Sequence, residues 1–183
     1  MPSSHGCPSK RPWALLVATC CGLGYRTRWP GTLTSAITTA VLFTAHSIVE
    51  GIGESYASPA IAVIITASLP VLLLFLFILG TWASHILLAT ERATESHADP
   101  PHIVIDEVVG QALTLWLTQS QSLYDYGVCF ILFRFFDIVK PPPIRQLEHM
   151  GPQALALMHD DVAAAVMAAG VFLLVPLLFA SLF

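Results

Sequence analysis

Charged residues are scarce in this 183-residue chain: Lys and Arg number 8 and Asp and Glu 12, together 11%, against roughly 25% in soluble domains. The shortage excludes an ordinary soluble fold. With 55% hydrophobic residues and a mean hydropathy of +0.72, the chain has more apolar surface than a core of this size can hide, so lipid must cover part of it. A net charge of −4 excludes attraction to nucleic acid. Cysteine is also sparse. Cys7, Cys20, Cys21 and Cys129 lack metal-ligand spacing, and adjacent cysteines make a poor disulfide, so all are read as reduced, buried and inert. Nor does a cleaved leader fit. Lys10 and Arg11 precede a short apolar run, Trp13 to Cys20, but Thr19 is a poor residue before a lipid-modified cysteine and cleavage would strand Arg26 and Arg28 outside. A retained, partly inserted cytoplasmic segment is expected, with residues 1–12 flexible at the edge of a single membrane-embedded domain, 1–183.

Long apolar runs are abundant instead. Five segments have the character of bilayer helices: Leu33–Val49, Pro59–Gly80, Val108–Leu117, Tyr126–Val139 and Val162–Phe183. The expected fold is therefore all-α, a polytopic transmembrane helical bundle. A full crossing takes about 20 residues, so the third and fourth must borrow flanking residues or lie against protein. With a cytoplasmic N-terminus and five crossings, Lys10, Arg11, Arg26, Arg28, Arg92, Arg134, Lys140 and Arg145 all fall on the inner side, as the positive-inside rule requires. The outer connections carry only Glu50, Glu54 and Asp125. The same topology brings three acidic clusters, distant in sequence, to one depth on the inner face.

The first cluster is Asp106-Glu107, in Ile103-Val104-Ile105-Asp106-Glu107-Val108-Val109-Gly110, with Asp99 upstream. Acids at a helix start complement its dipole, but ionisable groups beside an apolar run entering a membrane are functional by default. Gly110 is expected to let a neighbouring backbone approach. In the second cluster Arg134, Asp137 and Lys140 recur every three residues, sharing one face if the helix reaches Pro141 to Pro143, which then hold Arg145 on an extended turn. An arginine fork and a lysine beside a carboxylate suit a phosphate bridged to a metal. Snorkelling basic residues explain Lys140 and Arg145 but not Asp137. The third is Asp160-Asp161, opening the last helix and offering oxygen ligands to a hard cation such as Mg²⁺. N-capping accounts for one of the two, and His159 is read as a bystander. Ala164/Ala168 and Ala165/Ala169 give the small-residue spacing of close helix packing. Finally, Gly22 to Thr32 reads as a loop in which Pro30-Gly31 turn and Thr32 caps the first long helix; with Arg26 and Arg28 it suits an anion or serves as an ordinary basic flank.

Two covalent phosphoryl-transfer signatures are missing. There is no Asp-x-Asp-x-Thr run, and four residues rather than five separate Cys129 from Arg134, inside an apolar helix.

Taken together, the motifs resemble the phosphatidylglycerophosphatase A family. The matching elements are Pro30-Gly31-Thr32, the run Ile103 to Gly110 (Ile-Val-x-Asp-Glu-x-x-Gly), the run Phe133 to Arg145 (Phe-Arg-x-x-Asp-x-x-Lys-Pro-x-Pro-Ile-Arg), and Asp160, Asp161 and Ala164, in family order. The chain departs from the pattern where Arg26-Thr27-Arg28 stands in place of a Ser-Pro, and where Ala154, Ala156 and Ala165 replace glycines. The resemblance implies a Mg²⁺-dependent phosphatase of the bacterial inner membrane, its site on the cytoplasmic face, converting phosphatidylglycerophosphate to phosphatidylglycerol and phosphate. Asp106, Glu107, Asp137, Asp160 and Asp161 are then the catalytic, metal-binding set, with Arg134, Lys140 and Arg145 on the substrate phosphate. A water activated at the metal or an aspartyl group is the nucleophile; the residues do not choose between them. Partners are the phospholipid substrate and the membrane. The competing class is a small cation- or proton-coupled transporter, which would place its acids near the bilayer midplane on broken helices.

Overall fold

The structure is a computed structural model that describes residues 12–56, 59–91, 101–147 and 151–182; side chains at 52–66, 91, 147 and 179–182 are not described. Cys7, Lys10, Arg11, Arg92 and Asp99 lie outside the described residues, as do 1–11 of the residues 1–12 expected to be flexible, while Pro12 opens the first helix. Among those described, all regular structure is helical. Seven α-helices follow in order: α1 (Pro12–Ala18), α2 (Pro30–Tyr56), α3 (Pro59–Glu91), α4 (Ile105–Thr118), α5 (Leu123–Val139), α6 (Ile144–Leu147) and α7 (Gln153–Leu182), with a 3-10 turn, Leu23–Tyr25, between α1 and α2.

Three helices are long and apolar enough to cross a membrane, over Pro30–Gly51, Ala67–Thr90 and Gln153–Leu178. No more than 33% of any of these windows is buried inside the protein. Residues such as Val71, Phe75 and Ile78 of α3 and Leu177 of α7 face outward, the pattern of a lipid-facing surface. The five expected crossings thus divide into three long helices and two short ones. At 14 residues α4 spans about 21 Å, less than the ~30 Å hydrocarbon core. It lies against protein: Ile105, Val109, Gly110, Ala112 and Leu115 are buried, and α2, α3, α5 and α7 all pack on it.

Several boundaries move from their sequence expectations. Helix α2 starts at Pro30 rather than after Thr32: proline at the first helical position loses no intrahelical bond, and the Leu33 amide already donates to the Trp29 carbonyl at 3.2 Å. Helix α3 runs eleven residues beyond Gly80. That glycine is a packing point inside the helix, where a Cβ would press on Ile105 and Met158. Helix α7 begins at Gln153, nine residues before Val162. Asp160 and Asp161 therefore sit in its third turn and cap nothing.

Two apolar clusters hold the site from either side. Ala14, Ala83, Leu87, Ile105, Val109 and Met158 join α1, α3, α4 and α7. Phe133, Phe136, Ile144, Ala164, Ala165 and Ala168 join α5 and α6 to α7, so the small-residue stripe packs as its spacing indicated. Between α4 and α5, Gln119 takes a left-handed backbone (φ 50°) and Ser122 forms a capping box with Asp125.

Candidate active site

The segment before α4 is fastened to the end of α1. The Val104 amide donates to the Ala18 carbonyl at 2.9 Å. Tyr25 stacks on His102 with ring centroids 4.8 Å apart. Gly24 permits this contact, because a Cβ there would collide with the His102 carbonyl. Thus anchored, the first turn of α4 delivers Asp106 and Glu107 to the end of the bundle where α2 begins and α5 ends. The Glu107 amide donates to Asp106 Oδ1 at 3.0 Å. Gly31, in the first turn of α2, lies against the Glu107 carboxylate and near Arg134; a Cβ would strike the carboxylate.

Helix α7 adds the third acid. Gly110 sits against the ring of Phe133 and the Cβ of Asp161, so it admits side chains rather than the backbone expected. Carboxylate oxygens of Asp106, Glu107 and Asp161 then lie within 4.8 Å of one another. Asp106 and Asp161 are 5% and 4% exposed. Glu107 Oε2 and Asp161 Oδ2 are buried with no hydrogen-bond partner. Three crowded carboxylates out of water repel one another and need positive charge to remain ionised. All-oxygen donors with free lone pairs fit a hard divalent cation.

The other two acids each hold a cation. Asp137 pairs with Arg134 at 2.6 Å, one turn apart on α5. Asp160 accepts from Lys140 Nζ at 2.6 Å and turns its other oxygen to the Asp161 amide at 3.1 Å. Lys140 does not continue the α5 face: the helix ends at Val139, Lys140 caps it in the left-handed region (φ 43°), and its amide donates to the Phe136 carbonyl. All five acids, Arg134 and Lys140 line one cleft of about 480 Å³, with Arg28 to Thr32 forming another wall.

Arg145 is the exception. It does not line the cleft. The prolines lead into the single-turn helix α6 rather than an extended turn, and α6 buries Ile144 completely in the α5–α7 cluster, which leaves Arg145 exposed. Arg26 is exposed too. His159 packs on Phe77, away from the acids.

The cysteines differ among themselves. Cys20 is half-buried against the Val104 carbonyl, and burial, with the charges of Asp106 and Glu107 adding, pushes its thiol up to about 12. It stays protonated and is no nucleophile. Cys129 is buried beside Ser120 and Thr118, while Cys21 is exposed, contrary to expectation.

Sequence reasoning passed over a second polar tier. Gln111 is fully buried with neither amide atom partnered, and Ser35 and Thr34 are buried with unpartnered hydroxyls. Gln111 follows Glu107 by four residues and Ser35 follows Gly31 by four. That spacing puts each one turn deeper on the face that holds the site, and it was available in the sequence.

A profile of the family described as Phosphatidylglycerophosphatase A matches residues 16–176. A Bacteroides thetaiotaomicron protein provisionally named phosphatidylinositol-3-phosphatase is 30% identical over 161 residues, covering 86% of this chain and 91% of its own. The Phosphatidylglycerophosphatase A of Haemophilus influenzae is 43% identical over 70 residues, 38% of this chain and 43% of that protein. Its Escherichia coli counterpart is 33% identical over 73 residues, 40% and 42% of the two chains. No solved structure matches. With a family match across nearly the whole described bundle, the chain belongs to the phosphatidylglycerophosphatase A family and, with it, to the phosphatases.

Proposed function

We propose that this protein is a Mg²⁺-dependent phosphatidylglycerophosphatase of the bacterial inner membrane, releasing the terminal phosphate of its lipid at the cytoplasmic face. One observation carries the reading: the buried Asp106 and Asp161 and the half-buried Glu107, with carboxylate oxygens within 4.8 Å of one another, share a cleft with Arg134 and Lys140. Asp106, Glu107 and Asp161 would hold the cation, with Asp137 and Asp160 at its margin. When bound, Mg²⁺ supplies Lewis acidity and the positive charge that hydrolysis of a phosphate monoester needs.

The remaining work belongs to side chains. Lys140 and Arg134 face the phosphate and offset charge that shifts onto the leaving oxygen. Asp160 and Asp137 hold those cations in place before substrate arrives, so little reorganisation is left for the reaction itself. A carboxylate not engaged by the metal takes the proton of the attacking water. The acyl chains remain in lipid beside the exposed faces of the long helices while the phosphate enters the cleft. The orientation rests on the basic residues, which the five-crossing topology gathers at the cleft end. Transport finds less support, because the acids sit at the first turn of α4, the end of α5 and the third turn of α7 rather than at the middle of a broken helix.

The Bacteroides relative favours a second substrate reading, a phosphoinositide carrying a 3-phosphate. Phosphate release by the purified, detergent-solubilised protein from phosphatidylglycerophosphate and from phosphatidylinositol 3-phosphate separates the two. We expect kcat/KM at least tenfold higher on phosphatidylglycerophosphate; the reverse preference would reassign the substrate while keeping the chemistry.

A further inference from the structure

Three cations line the cleft: Arg28, Arg134 and Lys140. Two are committed to carboxylates, Arg134 to Asp137 and Lys140 to Asp160. Arg28 has no ion pair or hydrogen bond among the described residues. The three also differ in depth. The Arg134 and Lys140 side chains are 13% and 25% exposed, whereas Arg28 is exposed at the rim. It is nevertheless held near the acids, since Gly31 lies against Glu107 and three residues reach at most about 10 Å.

The proposed substrate, on which this inference rests, carries two phosphate groups joined by a glycerol. The terminal monoester is cleaved and the inner phosphodiester stays with the product. The buried acids and their two paired cations serve the first group, leaving the second at the cleft mouth with a full negative charge. We propose that Arg28 binds this phosphodiester and so selects a lipid bearing a second phosphate next to the scissile one. The guanidinium fork matches two phosphate oxygens, and with no partner among the described residues both donor pairs are open to the lipid. The diester charge is the same in substrate, transition state and product. Arg28 therefore contributes uniform binding, which appears in KM and leaves kcat alone.

The test compares wild type, Arg28→Gln and Arg28→Lys in detergent micelles with Mg²⁺ present. Phosphatidylglycerophosphate is the substrate. Phosphatidylglycerol, which has only the diester, and inorganic phosphate, which mimics only the monoester, are the inhibitors. We expect Arg28→Gln to raise KM and the inhibition constant of phosphatidylglycerol together, by about three- to tenfold for a partly exposed pair. The inhibition constant of inorganic phosphate and kcat should stay within twofold, and Arg28→Lys, which keeps the charge but not the fork, should fall between wild type and Arg28→Gln. Unchanged KM and phosphatidylglycerol inhibition in Arg28→Gln would overturn the assignment, as would an equal weakening of inorganic phosphate. A wild-type enzyme that leaves phosphatidylglycerophosphate intact would instead sink the substrate reading beneath it, and the proposal with it.

Discussion

Asp161 illustrates how the site trades stability for chemistry. Its carboxylate is buried beside those of Asp106 and Glu107 with one oxygen unpartnered, so without a cation the three destabilise the fold by mutual repulsion. Asp161→Asn removes one of the charges. We predict a higher melting temperature than wild type in EDTA, and an upward shift on adding Mg²⁺ in wild type that the variant lacks; differential scanning fluorimetry in detergent reads both. Gly31 makes a different demand. Gly31→Ala places a methyl group against the Glu107 carboxylate, and displacement of a reacting group by about 1 Å costs ~10²-fold in rate. Phosphate-release kinetics should show a fall in kcat of that order with the melting temperature nearly unchanged. The acids were legible in the sequence because a carboxylate beside an apolar run has few bland explanations. Gln111 was legible too but passed over: four residues after Glu107, it lies one turn along the same helix face.

Helix α7 packs through residues without bulk. Ala164, Ala165 and Ala168 are fully buried against α5 and α6, so Ala168→Leu has no space to fill and should cost about 1–3 kcal/mol, measured by thermal or denaturant unfolding in micelles. At the opposite end of the bundle, the Ser122–Asp125 capping box starts α5. Ser122→Ala should destabilise by about 1 kcal/mol. Hydrogen bonds from the backbone and side chain of Ser122 hold the Asp125 carboxyl below its usual range. A lowered folded value means stability present above the ordinary carboxyl pKa of about 3.9 and lost as pH falls through the folded value, so the difference between Ser122→Ala and wild type should narrow below about pH 4. The existence and order of α2, α3, α4, α5 and α7 could be read from apolar runs, whereas the starts of α2 and α7, and the short helix α6, could not. The Asp160-Asp161 pair mimicked a start signal, yet Gln153 to Met158 contains good helix formers that extend α7 upstream. Arg145 was misplaced for a related reason: prolines announce that a helix stops, but not that the next turn will bury Ile144 and point its neighbour outward.

The bundle as a whole puts its chemistry at one end. Residues from the start of α2, the start of α4, the end of α5 and the third turn of α7 meet in one cleft, and this convergence followed from alternating apolar segments and the one-sided distribution of Lys and Arg. Depth within a membrane was less readable, since α4 and α5 are too short to show from composition alone whether they cross fully. Single cysteines introduced at Gln146 and Gln121, each in a background lacking the native cysteines, test the orientation in right-side-out and inverted vesicles. The topology predicts that a membrane-impermeant maleimide labels Gln146→Cys only in inverted vesicles and Gln121→Cys only in right-side-out ones; labelling of both from the same side would require an even number of crossings.

The central claim is that the buried carboxylates act through a divalent cation. It is tested most directly by phosphate release from phosphatidylglycerophosphate as free Mg²⁺ is titrated, for wild type and Asp161→Asn at matched folded concentration. The account predicts saturable dependence on Mg²⁺ in wild type, no release in EDTA, and a loss of at least ~10²-fold in the variant. Full activity of wild type in EDTA, or of Asp161→Asn at any Mg²⁺ concentration, would contradict it.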